Sequence, residues 1–261
     1  MSAAKLPPRN NWLFKGFARY VQRYLRRHFH AVRVSRSGAA FPIDGEPILL
    51  VTNHPSWWDP MVGLPLALTL EGYHHYAAIG ADMLMAYPIF GRLGFFGVEA
   101  TSVRGGIDFL RTGEAILAGP KRTLWITAQG EFADVRTRPL NFKSGVGHLA
   151  ARMKRGWVVC VAIEYAFWTE RTPEALLRLA EPIAIDSTVK TTPREWTARL
   201  EAVLTENLDT LNLETQARDP AKFTVLLGGR VGVGGGYDLF RRLVCWLRFR
   251  RFRPAHGGGR G

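Results

Sequence analysis

The sequence predicts an α/β fold, a largely parallel mixed sheet flanked by helices, with a basic amphipathic helix at each end of the chain. Three observations predict it. Short apolar, β-rich runs alternate with segments of helical periodicity, the pattern of strands joined by crossover helices. The 261 residues are 47% hydrophobic, enough to bury a sizeable core. The net excess of positive charge falls in the two ends, where arginines interleave with aromatic and aliphatic residues.

The elements follow in order. At 100° per residue, residues 11–30 place Leu13, Phe14, Phe17, Ala18, Tyr20, Val21, Tyr24 and Leu25 on one arc of a helix. Lys15, Arg19, Gln22, Arg23, Arg26, Arg27 and His30 fall on the other. Such a helix suits an anionic membrane surface, and its apolar arc equally suits docking on the domain. Residues 47–52 are a buried strand and 60–70 a helix. A strand is expected at 75–80, a helix or loop at 83–93, a strand at 94–99 and a helix at 105–118. Then come a strand at 122–127, a helix at 144–155, strands at 157–163 and 176–185, and a helix at 193–211. The glycine-rich run from Gly228 to Gly236 lacks the Lys-Ser/Thr of a phosphate loop and reads as a linker. Beyond it, Leu239, Phe240, Leu243, Val244, Trp246 and Leu247 oppose Arg241, Arg242 and Arg248 in a second basic amphipathic segment. Three parts result: a basic amphipathic helix at 1–36 suited to a membrane surface, a central α/β domain at 37–227, and a linker with basic tail at 228–261.

Charge and composition exclude several classes. The net charge is +13, with 35 Lys and Arg against 22 Asp and Glu. Residues 1–36 contribute +9 and residues 237–261 contribute +6, which leaves −2 on residues 37–236. A negatively charged partner therefore meets the ends rather than the body. Two cysteines exclude a disulfide scaffold and by themselves make no zinc site. No apolar run approaches the roughly 18–20 residues of a spanning helix. The N-terminal stretch has neither the apolar core nor the small-residue cleavage site of a signal peptide, so a cytoplasmic location is expected. Arg/aromatic ends and a pI near 10.3 also suit a nucleic-acid-binding protein. The acidic body, the wide apolar arc and the lack of a recognised binding module argue against that, and no nucleic acid is expected.

The sharpest motif is Asn53-His54-Pro55-Ser56-Trp57-Trp58-Asp59, directly after the strand at 47–52. A strand end puts His54 at the carboxyl edge of the sheet, where open α/β sheets bind their ligands. Ser56 is expected to N-cap the next helix, with Asp59 in its first turn and within reach of the imidazole. A carboxylate on one ring nitrogen fixes the tautomer and leaves the other free to take a proton. Asp59 could instead only favour the helix N-terminus by charge. No Gly-x-Ser-x-Gly is present and neither cysteine neighbours a histidine, so a His–Asp pair here would activate a substrate hydroxyl directly. His74-His75 and the pair His28 and His30 lack metal-ligand spacing. Trp57 and Trp58 would line a groove or pack the first helix. Glu164 and Glu170 would contact a substrate or cap a loop.

Asn53-His54-x4-Asp59 resembles the first motif of the glycerophospholipid (1-acylglycerol-3-phosphate-type) acyltransferase superfamily. Pro88-Ile89-Phe90-Gly91-x-x-Gly94 resembles the approach to its second motif. Gln129-Gly130-Glu131 followed by Phe142-Lys143-Ser144-Gly145 resembles the third, and residues 158–163 the strand-forming fourth. The resemblance spans about residues 48–185 and rests on four motifs in order. It implies an acyltransferase in which His54 deprotonates an acceptor hydroxyl and Asp59 orients His54. Asn53, Gln129, Gly130 and Glu131 would help to bind substrate. The hydroxyl attacks an acyl thioester of coenzyme A or acyl-carrier protein as co-substrate, with no metal or other cofactor. It also implies a peripheral protein of phospholipid biosynthesis, on the cytoplasmic face of the membrane, taking a membrane lipid as acceptor. A lipid-binding protein of the same fold without activity is the alternative within this family.

The departures are informative. The second motif's arginine is Ala100 here, preceded by Glu99. In the third motif the usual Glu, Thr and Arg are Gln129, Glu131 and Phe132. Both missing arginines are phosphate-gripping positions in the family, and their loss removes charge-assisted bidentate binding. Arg104, Arg136, Arg138 and Lys143 are close enough in sequence to substitute, or are solvated loop charges. The acceptor is expected to differ from lysophosphatidate: a glycolipid, glycosylated isoprenoid or aminolipid hydroxyl suits an acidic site better.

Overall fold

The computed structural model describes residues 6–99 and 101–230. Its centre is a nine-stranded mixed sheet among the described residues, built from strands β1 (Ala31–Ser35), β2 (Ile48–Thr52), β3 (His74–Gly80), β4 (Phe95–Val98), β5 (Arg122–Thr127), β6 (Trp157–Ala166), β7 (Glu174–Leu179), β8 (Ile183–Ala184) and β9 (Phe223–Gly228). The order is β4-β3-β5-β2-β6-β7-β1-β9, with β8 pairing beside β6. The five strands from β4 to β6 run parallel, and β7 turns back antiparallel to β6. Helices α1 (Asn11–His28), α2 (Asp59–Ala67), α3 (Ala81–Ala86), α4 (Val103–Leu117), α5 (Gly145–Arg152) and α6 (Pro193–Ala217) complete the α/β architecture.

Two cores follow from the period-2 alternation of the strands. Leu49 and Val51 of β2 face α4, α5 and α6, joining Ile116, Leu149 and Leu200. Ile48 and Leu50 face the other way, joining Phe14, Val21 and Leu25 of α1 and Val62 of α2. All five residues of β2 are buried, as a central parallel strand requires. The apolar arc expected for residues 11–30 is therefore turned inward at Phe14, Ala18, Val21 and Leu25, while Tyr20 of that arc and the cationic arc of α1 are exposed.

Several boundaries differ from the sequence expectation. The strand expected at 176–185 is two, β7 and β8, because Pro182 stands between them and removes a ladder donor. The segment at 83–93 is α3 followed by a 3-10 turn at Pro88–Arg92, which starts at the proline that stops the helix. Helix α6 continues to Ala217, held at its start by a reciprocal Thr192–Glu195 capping box. Strands β1 and β9, which the sequence reading did not assign, pair antiparallel and close one side of the sheet. Strand β1 thus lies within the 1–36 segment. The linker from residue 231 on, the C-terminal amphipathic segment and Ala100 lie outside the described residues.

Candidate active site

Strand β2 ends at Thr52 between the parallel strands β5 and β6, in register with Thr127 and Val161. Crossovers leave β2 toward β3 on one side and reach β6 on the other, so the carboxyl edge here opens a crevice. Asn53 continues the strand with its side chain: its Nδ2 donates to the Ile163 carbonyl and its Oδ1 accepts from the Ile163 N–H, both at 2.8 Å. Asn53 braces the next residue and is buried at 2% exposure. The His54 backbone N–H donates to Gln129 Oε1 at 2.9 Å, and its carbonyl accepts from the Ala133 N–H at 3.0 Å. The loop after β5 therefore holds the His54 backbone on both sides. Gly130 shapes that loop with φ of +71°, in the left-handed region that favours glycine.

His54 Nδ1 lies 2.6 Å from Asp59 Oδ2. An ionised carboxylate only accepts, so Nδ1 carries the proton and Nε2 presents a lone pair. No described residue hydrogen-bonds Nε2. Asp59 is the first residue of α2, and its carboxylate turns back to the loop, accepting also from the Ser56 N–H at 3.2 Å. Ser56 does not cap the helix as expected. The N-cap is Trp58, with no side-chain bond, and Ser56 Oγ instead accepts from the Trp58 N–H at 3.3 Å to tighten the turn. Asp59 Oδ1 accepts from the Tyr165 hydroxyl at 2.6 Å. Burial, then the neighbouring Asp59 charge, pushes the Tyr165 hydroxyl well above its ordinary range, so it stays a neutral donor. Tyr165 is the member of this relay that the sequence reading missed.

Phe132 lies with its ring 4.3 Å from the His54 ring, centroid to centroid, although 60% of the residue is exposed. It occupies the position at which the resembled family carries its third-motif arginine. Gln129, Asn53, His54 and Asp59 are thus brought together. The cationic candidates each face an acid, and Lys143 lies against Gly130 of the same loop. Arg104 is on α4, facing Asp108 of the same helix at 3.9 Å. Arg136 is locked onto Asp134 by two side-chain bonds of 2.8 and 2.7 Å, which hold that carboxyl below its usual range. Arg138 pairs with Asp209 of α6, and Lys143 faces the exposed Glu131 at 3.7 Å. Glu164 accepts from Thr215 of α6, and burial raises its carboxyl above the ordinary range. His75 is buried against Thr123 Oγ1 at 2.8 Å, and desolvation lowers it to about 3, so it is neutral. The described residues contain no cluster of metal-binding side chains. Burial pushes the Cys160 thiol up to about 12, which removes it as a nucleophile.

A cavity of about 100 Å³ lies beside Asp59, between α1, α2 and the β2, β3 and β5 face. Asp59, Thr52 and Thr127 stand at one end of its wall, and Phe14, Phe17 and Phe95 belong to the rest. Trp57 is exposed, whereas Trp58 packs with Tyr24 and Phe29, joining α1 to the loop that carries His54. No known protein-family profile matches the chain, and no curated protein matches it.

Proposed function

We propose that the protein is an acyltransferase of the glycerophospholipid-acyltransferase type, moving a fatty acyl group from an acyl thioester to the hydroxyl of a lipid acceptor. The observation that carries this reading is the His54–Asp59 pair: Nδ1 is committed to Asp59, Nε2 has no hydrogen-bond partner among the described residues, and Asp59 stands in the wall of an apolar cavity. His54 Nε2 takes the acceptor hydroxyl proton as the oxygen attacks the thioester carbonyl. The carbon–sulfur bond then breaks, and the proton passes to the departing thiolate. A thiolate leaves readily, so orientation and proton transfer are the tasks left to the protein. Coenzyme A or acyl-carrier protein supplies the thioester, and this route calls on no metal or prosthetic group. The cavity beside Asp59 suits the first part of an acyl chain.

The membrane part of the reading rests on α1. Lys15, Arg19, Arg23, Arg26 and Arg27 are exposed on it, together with Trp12 and Tyr20. Cations with interfacial aromatics suit an anionic leaflet, here the cytoplasmic face. No described helix is long and apolar enough to cross a membrane.

The test incubates purified protein and its His54→Ala variant with labelled acyl-CoA, or acyl-carrier protein, and total lipid extract. Wild type should label a lipid, and the variant should lose at least about a hundredfold in rate. Equal product from both proteins sinks the proposed base.

A further inference from the structure

Helix α3 and the 3-10 turn after it bury none of their residues. Yet residues 83–90 read Met-Leu-Met-Ala-Tyr-Pro-Ile-Phe, with no charged side chain and only the tyrosine hydroxyl as a polar one. Met85 is 75% exposed, Tyr87 52% and Ile89 49%. Single exposed apolar side chains are ordinary, but a contiguous apolar run held in water marks an interaction surface. Asp82, in the first turn of α3, is the one acid of the segment.

This run stands beside α1, on the same side of the sheet. Phe95 of β4 packs with the core under α1 and Phe96 with the opposite one, so Gly97 shares the face of Phe95. A Cβ on Gly97 would meet Ala81 Cα at 3.2 Å and Leu84 Cδ2 at 3.3 Å, which seats α3 on that face. The Phe90 ring lies 6.1 Å from that of Phe17 on α1 and 5.7 Å from that of Tyr87. The Asn10 N–H donates to the Arg92 carbonyl, which ties the start of α1 to the end of the turn. The apolar run therefore adjoins a helix that exposes Lys15, Arg19 and Arg23. Neither residues 6–43 nor residues 83–98 contain an acid.

The charge selects the occupant. Cations without acids around an apolar run complement a surface that is anionic outside and apolar within. Trp12 and Tyr20 of α1 and Tyr87 are amphipathic aromatics, suited to the boundary between headgroups and acyl chains. Two copies joined through this patch would bring their cationic arcs together, and the chain's own C-terminal segment is cationic itself. We infer that α3 and the 3-10 turn form a wedge that enters the acyl region of an anionic bilayer beside α1, whose cations hold the headgroups. This rests on the membrane part of the reading above and is independent of acyl transfer.

The experiment follows the full chain on vesicles of phosphatidylcholine with about one-third phosphatidylglycerol. An environment-sensitive fluorophore is placed on Ile89→Cys and, separately, on Leu213→Cys, in a Cys245→Ser background; Cys160 is buried and its thiol stays protonated. Leu213 is 68% exposed on α6, in the opposite layer. On vesicles the label at 89 should shift to the blue. Lipids spin-labelled on the acyl chain should quench it at least about twofold more than lipids spin-labelled on the headgroup, and the label at 213 should show neither effect. Met85→Asp with Ile89→Asp should lower vesicle capture by about tenfold or more, with the thermal melt unchanged because both side chains are exposed. Leu213→Asp should leave capture as it is. Capture with the label at 89 as wet as that at 213, or capture unchanged in the double variant, overturns the inference and leaves the α1 reading standing. A label at 89 that is already shielded without lipid, and unaltered by vesicles, assigns the patch to a second copy or to the C-terminal segment and also overturns it. No capture of the wild type overturns both. Insertion by a protein that transfers no acyl group supports the inference and sinks only the acyltransferase reading.

Discussion

Asp59 is surrounded by donors at both carboxylate oxygens, and Tyr165 alone holds the oxygen that His54 does not use. Tyr165→Phe removes one charge-assisted bond from a buried carboxylate, so the imidazole loses part of its orientation. The expected outcome is a fall of about tenfold in kcat with KM little changed, checked by steady-state kinetics beside a thermal melt. Phe132 makes a second prediction at this scale. Phe132→Arg places a guanidinium beside His54, and acylation of lysophosphatidate relative to other acceptors should rise by about tenfold or more. An unchanged acceptor profile in a competition assay counts against the account given for the missing arginines. The dyad was legible in the sequence because its members are five positions apart and joined by one turn. Tyr165 was not legible, because it comes from a strand 106 positions away and meets Asp59 only through the pairing of β2 with β6. The sequence left Arg104, Arg136 and Lys143 open between substrate contacts and solvated loop charges, and the structure shows each facing an acid close by in the chain or loop.

Elements hold these residues through a few close approaches. Gly147 on α5 sits where any Cβ would meet the Pro193 carbonyl and Thr197 Oγ1 at 2.1 Å, so α5 and α6 touch backbone to backbone. Gly147→Ala must push the two helices apart, with an expected loss of about 1–3 kcal/mol in chemical denaturation. On β3, His75 is held neutral with a folded value of about 3 against 6.5 for the free side chain. The unfolded chain binds the extra proton, so the contribution is fully present above pH 6.5 and is lost as the pH falls toward 3. The slope approaches about 1.4 kcal/mol per pH unit. Melts at pH 7 and 5 should show it, and His75→Gln should flatten it. Strand β1 escaped the sequence reading because Arg33 is buried within it, and a buried arginine breaks the apolar pattern that marks a strand. The fold accommodates it through Glu174 at 2.9 Å on the parallel neighbour β7. Strand β9 was hidden by the glycine run that follows it.

At the scale of the whole molecule, residues 37–236 sum to −2 while the two ends of the sequence carry the positive excess. Sedimentation with vesicles of mixed neutral and anionic lipid should capture the protein. The bound fraction should fall steeply with salt, and Arg19→Glu with Arg23→Glu should weaken capture by about tenfold or more. Retention on DNA with no vesicle binding would refute the membrane reading. The overall α/β architecture was legible because alternating apolar strands and amphipathic helices are local patterns. The burial of α1 against α2 was open in the sequence, since the same apolar arc serves a bilayer or a core.

That helix is fastened at both ends. The Asn10 N–H donates to the Arg92 carbonyl at 2.8 Å ahead of it, and β1 enters the sheet two residues beyond it. A protein that met a bilayer through α1 would therefore stand on a fixed keel, not on a tether. Its catalytic histidine would be carried at one height above the headgroups and at one angle. Acceptors would then be sorted by the depth at which they hold their hydroxyl, before any contact in the site distinguished their chemistry.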